Sequence, residues 1–144
     1  MIRNDRGSAA VMTIVMLPFL VAIVAGVAQI GALRVIASRV AEAADLATLA
    51  AVDDQDDAEL ARSGVLRLSP DAPSVARQYF GLNLGQLAPL LAVTPADAAA
   101  AADVSTSGNS VRLSAAVPVH APVLAALLLP ATIVVNVRAT STPR

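Results

Sequence analysis

The chain has 144 residues, and its ten basic and eleven acidic residues nearly cancel. All ten basic residues are arginine, no basic run occurs, and aromatic residues make up only 2% of the chain. A nucleic-acid-binding protein needs a basic patch that neutralises phosphates, so this class of function is excluded. Cysteine is absent, which excludes disulfide scaffolds and cysteine-based metal sites.

The segment from Gly7 to Leu33 contains no charged residue and consists mainly of aliphatic side chains. About 20 apolar residues in a helix cross the ~30 Å hydrocarbon core of a bilayer, and this segment is longer than that. After Ser8, only Thr13 and Gln29 interrupt the apolar run, and neither forms part of a polar stripe at helical spacing. The sequence therefore predicts a single transmembrane helix near the N-terminus.

The orientation of this helix is predicted from the arginines that flank it. Arg3 and Arg6 lie on one side and Arg34 and Arg39 on the other, so the count of positive charges is nearly balanced. The free amino terminus adds a positive charge to the short side. We therefore expect a single-pass protein of the cytoplasmic membrane, with a cytoplasmic N-terminus and an exported C-terminal domain.

A cleaved secretory signal peptide is the alternative interpretation of the N-terminus. Gly26-Val27-Ala28 has the small-x-small pattern of a cleavage site, and cleavage after Ala28 would release a small secreted binding module. The apolar run continues past this site to Leu33, which favours a retained anchor.

The helix is expected to continue beyond the membrane to residue 52. Residues 34–52 contain neither glycine nor proline and are rich in good helix formers. Small and aliphatic residues recur on one face of this continuation, so another helix can approach closely there. A bulky apolar residue at Asp45 or Ala47 is expected to disturb assembly more than folding. The candidate helix-packing residues of the whole helix are Pro18, Gly26, Ile36, Val40, Ala43, Asp45 and Ala47.

Three regions are predicted along the chain. They are a leader with the transmembrane helix (1–33), a continuation of the helix with an acidic turn (34–62) and a small α+β domain (63–144). Gly64 is expected to end a short helical segment, Ala58–Arg62, and Val65–Leu68 is expected to form an edge strand. A second helix is predicted over Ala72–Leu84, with Asp71 or Ser74 as its cap.

The second helix is expected to bury its aromatic residues. Val75, Tyr79 and Leu82 share one face of it, so this face and both neighbouring aromatics, Tyr79 and Phe80, are predicted to lie in the core.

From about residue 100 the pattern changes to alternation of polar and apolar residues. It predicts a strand at 103–106, a turn at 107–109, a strand at 110–117 closed by Pro118, and a last strand at Thr132–Thr140. Leu124–Leu129 is too short to span a bilayer and is expected to be a buried turn or the loop between strands. The predicted fold class is α+β: a long N-terminal transmembrane helix, a shorter helix and a small antiparallel sheet.

No catalytic or cofactor-binding constellation is found, so we expect neither an enzyme nor a cofactor. The acidic run Asp53–Glu59 lacks the alternating ligands and central glycine of an EF-hand, which favours a solvated loop over a Ca²⁺ site. His120 is the sole histidine, and no serine lies in a nucleophile elbow. A histidine at a strand end is the favoured interpretation of His120.

Two motifs resemble the TadE/TadG-like proteins of bacterial tight-adherence (Flp-type) pilus systems. The first is Arg6-Gly7-Ser8-Ala9-Ala10, followed by Leu17-Pro18 in the apolar helix. The second is Arg39 followed by Ala-Glu-Ala-Ala-Asp-Leu-Ala-Thr-Leu-Ala-Ala at residues 41–51. The resemblance covers roughly residues 3–52.

The resemblance implies a minor pseudopilin of pilin-like form that takes part in assembling a Tad/Flp pilus or secretion machine. The implied partners are the bacterial inner membrane, other pilin-like or Tad-system membrane proteins and the major pilin, with no nucleic acid and no small-molecule substrate. It also implies cleavage by a prepilin peptidase after Gly7, with Ser8 as the new first residue. Met12 stands where the family pattern has a glutamate.

Overall fold

The computed structural model describes the backbone of residues 5–126 and 129–143 and the side chains from residue 12 onward within these ranges. It is an α+β structure, as predicted. The helices are α1 (Asp5–Asp53), α2 (Asp57–Ser63), α3 (Ala72–Leu84), α4 (Pro95–Ala100) and α5 (Pro122–Ala126). A 3₁₀ helix covers Gly85–Leu90, and the strands are β1 (Asp103–Ser107), β2 (Ser110–His120) and β3 (Thr132–Ser141).

The prediction of one continuous helix to residue 52 is confirmed. Helix α1 has 49 residues, so it is about 73 Å long at ~1.5 Å per residue. It passes through Pro18 without a break, although proline removes one backbone hydrogen bond.

The acidic run ends α1 and starts α2. Helix α1 ends at Asp53, and the Asp56 side chain accepts a hydrogen bond of 2.9 Å from the Glu59 backbone N–H. This contact makes Asp56 the N-cap of α2, where a carboxylate also favours the helix dipole. Gly64 ends α2 as predicted, with φ of +70°, a conformation that costs little only for glycine.

The predicted edge strand at Val65–Leu68 is wrong. Leu68 forms only an isolated bridge with Gln55. The neighbouring hydrogen bonds run from the Asp56 N–H to the Arg67 carbonyl and from the Ser69 N–H to the Asp54 carbonyl, each at 3.0 Å. The partner of this segment is the short linker between α1 and α2, which is too short for the pairing to extend into a strand.

Helix α3 has the predicted bounds but buries a different face. Its buried residues are Ala72, Ala76, Phe80 and Leu84. Tyr79 and Leu82, which were predicted to be core, are 45% and 64% exposed, so that part of the prediction is wrong. Small alanines on the buried side let a neighbouring element approach, and a single large residue, Phe80, fills the space.

The three strands form one antiparallel sheet in the order β1-β2-β3. The Gly108 turn joins β1 and β2, with Ser107 opposite Ser110. On one face of the sheet β2 buries every second residue, and Val137 and Ala139 of β3 extend that buried face. The buried residues of β2 are Val111, Leu113, Ala115, Val117 and Val119.

Strand β2 runs through Pro118, which had been expected to close it. The pairing with β1 stops at Ser114, so Pro118 lies where that edge of β2 has no ladder partner. Its carbonyl accepts a 2.9 Å hydrogen bond from the Ala92 N–H instead. A proline on such an edge loses no ladder hydrogen bond, which explains why the strand continues to His120.

Of the two alternatives predicted for Leu124–Leu129, a buried turn or the loop between strands, the described residues agree with the loop and not with the buried turn. The segment belongs to the connection between β2 and β3, which begins with α5, and Ala125, Ala126 and Leu129 are exposed. Helix α4 was also not predicted; Thr94 caps it through a hydrogen bond from the Asp97 N–H to its side chain at 3.1 Å.

The chain forms two compact units. The first consists of the described part of Met1–Arg34 together with Ala121–Ala131, and the second consists of Val35–His120 and Thr132–Arg144. The main hydrophobic core belongs to the second unit, where α1, α3, α4 and the inner face of the sheet contribute buried residues.

Candidate interaction surfaces

The first half of α1 is apolar and exposed. Over the described residues, one helix is long and apolar enough to cross a membrane, with a mean hydropathy of 2.3 in its most apolar part. From Met12 to Ala28 most side chains are exposed, including Phe19 at 67% and Ile14 at 73%. In water such a surface would be unfavourable, by ~25 cal/mol for each Å² of apolar area, and in a bilayer it is not.

Two of the predicted helix-packing residues lie in this half. Pro18 is exposed, and Gly26 is half-buried. A Cβ atom added to Gly26 would meet nothing within 4 Å. The chain itself therefore leaves the space above Gly26 open, as a close-packing site for another helix requires.

The structure places four of the predicted packing residues in the core of this chain. Ile36, Val40, Ala43 and Ala47 are all at most 7% exposed. They therefore form part of the hydrophobic core of the second unit. A second chain cannot reach this face while the domain is folded, so the surface open to a partner is a different one.

The exposed side of the same half of α1 is an alternative contact surface, which we call the outer stripe: Val35, Arg39, Glu42, Leu46 and Leu49. These residues are spaced by four and three in alternation, which is the spacing of a coiled-coil seam. The three apolar members are 49–62% exposed. The charged members pair with each other: Arg39 Nη1 lies 3.2 Å from Glu42 Oε2. Asp45 borders this stripe and is exposed.

A groove runs beside the outer stripe, within the second unit. Arg39, Glu42, Ala43 and Leu46 line it from α1, and Asn83, Gln86 and Leu87 line the opposite side. Its lining combines apolar and amide side chains with the charged pair Arg39 and Glu42.

The processing candidates Gly7 and Ser8 lie within α1, whose backbone begins at Asp5. Their side chains are outside the described part of the chain. Met12, at the position of the family glutamate, is 63% exposed.

The structure assigns the acidic residues local roles. Asp56 caps α2, and Glu59 forms an ion pair with Arg62 one turn later. Within the described residues, no group of three or more histidine, cysteine or acidic side chains is placed to hold a metal ion. His120 is exposed at the end of β2, opposite Thr132.

Sequence reasoning missed the outer stripe. The sequence contained a signal for it, because Val35, Leu46 and Leu49 lie on one side of an ideal helix, opposite the alanine-rich face.

Comparisons with protein-family models, with curated proteins and with solved structures find no match to this chain.

Proposed function

We propose that this protein is a single-pass, pilin-like structural subunit that takes part in assembling a Tad/Flp-type pilus or secretion machine. In this role it is a scaffold for other membrane helices and carries out no chemistry. The proposal includes anchoring in the cytoplasmic membrane with the C-terminal domain exported.

One observation carries the proposal: α1 is a single helix whose two halves suit two different surroundings. From Gly7 to Leu33 it is uncharged and its described side chains are largely exposed, which suits lipid. From Ile36 onward one face is buried in a small α+β domain. A helix that anchors in the membrane and also forms the spine of a compact domain is the form that the motif resemblance implies.

The outer stripe is the surface through which we expect this subunit to contact other pilin-like helices. Its seam spacing suits a helical partner, and exposed leucines at Leu46 and Leu49 provide apolar area for burial. The pair Arg39 and Glu42 within the seam favours partners with complementary charges and so contributes specificity.

The test is a deletion of the gene in its native host, followed by complementation and a count of surface filaments. Wild-type protein should restore filaments, and Leu49→Glu should not, because a carboxylate in the seam would be buried without a partner. Val134→Glu is the matched control. Val134 lies on β3, on the face of the sheet that does not point into the core, and its exposure of 53% is similar to that of Leu49. The control variant should restore filaments like the wild type.

Two outcomes would contradict this account. Unchanged filaments after deletion would exclude a role in pilus assembly. Full complementation by Leu49→Glu would exclude the outer stripe as the contact surface. Circular dichroism of both purified variants in detergent must match the wild type, which their exposed positions lead us to expect.

A secreted binding module is the second candidate, and the structure offers one observation in its favour. The second unit begins at Val35, so cleavage after Ala28 would leave all of that unit intact. Its binding surface would be the outer face of the sheet, where Ser114, Asn136 and Arg138 line a shallow depression. Retention or loss of the apolar segment in the mature protein distinguishes the two candidates.

A further inference from the structure

We propose that the connection Ala121–Ala131 between β2 and β3, here called the apolar loop, is a second membrane contact that inserts into the bilayer beside the anchor helix. The inference rests on the membrane anchoring proposed above. It adds a lipid-binding element to a domain that would otherwise be tethered by α1 alone.

The composition of the apolar loop differs from that of the other connections in the chain. All eleven of its residues are alanine, valine, leucine or proline. The linker between α1 and α2 is acidic, and the turn between β1 and β2 is Gly108-Asn109. Connections that face water are normally polar, because they lie on the surface. Leu129 in this loop is 52% exposed, so it provides apolar area for contact with lipid.

The apolar loop lies in the same compact unit as the uncharged half of α1. Within that half, one face is more buried than the rest: Gln29 is 7% exposed, and Ala22, Ala25, Gly26 and Leu33 are half-buried. These residues are spaced as one side of a helix. The apolar loop is the other segment of this compact unit.

In the described part of the apolar loop, several backbone groups pair within the loop, which favours entry into lipid. Unsatisfied backbone groups cost several kcal/mol each (~4–8 by transfer to hydrocarbon) in the bilayer core. The Ala125 N–H donates to the Ala121 carbonyl at 3.1 Å, and the Leu129 N–H donates to the Leu124 carbonyl at 2.9 Å. The Ala121 N–H donates to the Ala131 carbonyl at 2.7 Å and closes the base of the loop.

Length and connectivity define how deep the apolar loop can reach. Eleven residues are too few to cross a bilayer, which takes about 20 helical residues. The loop leaves and re-enters the second unit, whose first residue, Val35, follows the first charged residue after the span, Arg34. It therefore enters only the leaflet at the Arg34 end of the anchor.

A lipid surface is the occupant that these features favour over a protein partner. Interfaces between proteins combine an apolar centre with a polar rim. The apolar loop has no polar side chain with which to form such a rim. The apolar loop belongs to the same compact unit as the uncharged half of α1, which is the proposed membrane anchor. A bilayer around the anchor would therefore lie next to the loop.

The test uses the natural absence of cysteine to place one environment-sensitive fluorophore at a time on the full chain. The probe position is Leu129→Cys. Leu20→Cys is the control for the anchor, and Ser107→Cys, exposed at the end of β1, is the control for water. Each protein is reconstituted into vesicles of phosphatidylcholine and phosphatidylglycerol, with and without lipids that carry a doxyl quencher on the acyl chain.

We expect the emission at Leu129 to be blue-shifted and quenched by doxyl lipids several-fold more than the emission at Ser107. Quenching at Leu20 with none at Leu129 would overturn the apolar loop as a membrane contact and leave the anchor in place. A blue-shifted probe at Leu129 that doxyl lipids do not quench would mean that another copy of the protein covers it, which also overturns the inference. No quenching at Leu20 would overturn the anchor and the inference together.

Discussion

The hydroxyl oxygens of Thr48 on α1 and Ser141 on β3 lie 2.9 Å apart. Thr48 Oγ1 also lies 2.9 Å from the Asp45 carbonyl, to which it donates its one proton. Ser141 must then donate to Thr48. This hydrogen bond links the long helix to the last strand, 93 residues later in the chain.

We predict that the hydrogen bond between Thr48 and Ser141 contributes to the stability of the fold. Thr48→Val keeps the shape of the fully buried side chain but removes the hydroxyl, and it should lower the free energy of unfolding by about 1 kcal/mol. Ser141→Ala should have a similar or smaller effect, since Ser141 is half-buried. Urea unfolding of the full chain in detergent, followed by circular dichroism, measures both.

The double variant provides the control for this link. Its loss of stability should be smaller than the sum of the two single losses, because both remove the same hydrogen bond. Additive losses would show that the two hydroxyls do not interact in solution.

Substitutions at Ala47 and at Asp45 are predicted to differ in their effect on stability, although the sequence alone predicted that both would mainly disturb assembly. Ala47 has no exposed surface, so Ala47→Leu should overpack the core and cost about 1–3 kcal/mol of stability. Asp45 is exposed, so Asp45→Leu should change stability by less than ~0.5 kcal/mol. Its effect on assembly stays a prediction, which the filament count in the complemented host checks.

The Ala47→Leu substitution also tests the packing of α1 directly. A stable Ala47→Leu protein with normal unfolding would mean that α1 does not pack against the domain through this face.

Gly81 is predicted to be required for the contact between α3 and α4. A Cβ atom added there would lie 3.2 Å from the Cβ atom of Ala99, closer than ordinary van der Waals contact. Gly81→Leu should therefore destabilise the protein by about 1–3 kcal/mol, despite the better helix propensity of leucine.

Gly85 is the matched control for this prediction. Its φ is −54°, and an added Cβ meets nothing within 4 Å. Gly85→Leu should be neutral or stabilising by up to ~1 kcal/mol. Equal effects of the two substitutions on the melting temperature would contradict the close approach of α3 and α4.

Local chemistry explains what the sequence predicted correctly. The continuation of α1 beyond the apolar segment follows from residues 34–52, which lack glycine and are rich in good helix formers. The acidic residues Asp53–Asp57 then end one helix and cap the next. Alternation from Ser110 to Val117 predicted the buried face of β2, because side chains of a strand point alternately to its two faces.

Tertiary contacts explain what the sequence did not predict. Tyr79 and Phe80 are adjacent, and the choice of Phe80 as the buried aromatic depends on the alanines of α3 that face the core. Pro118 stays within β2 because β1 has already ended, a fact about the neighbouring strand. The cover over Ile36 and Ala47 comes from elements that follow much later in the chain, so their spacing alone could not distinguish an internal contact from an interface.

The central claim is that the apolar half of α1 stays in the mature protein as a membrane anchor. The most direct measurement is the intact mass of the protein from the detergent-solubilised membrane fraction and from the culture medium of its native host. We predict a membrane-bound protein with the full-length mass of 14.6 kDa, or shortened only after Gly7. A soluble protein in the medium that begins at Gln29, with no anchored form, would contradict the account.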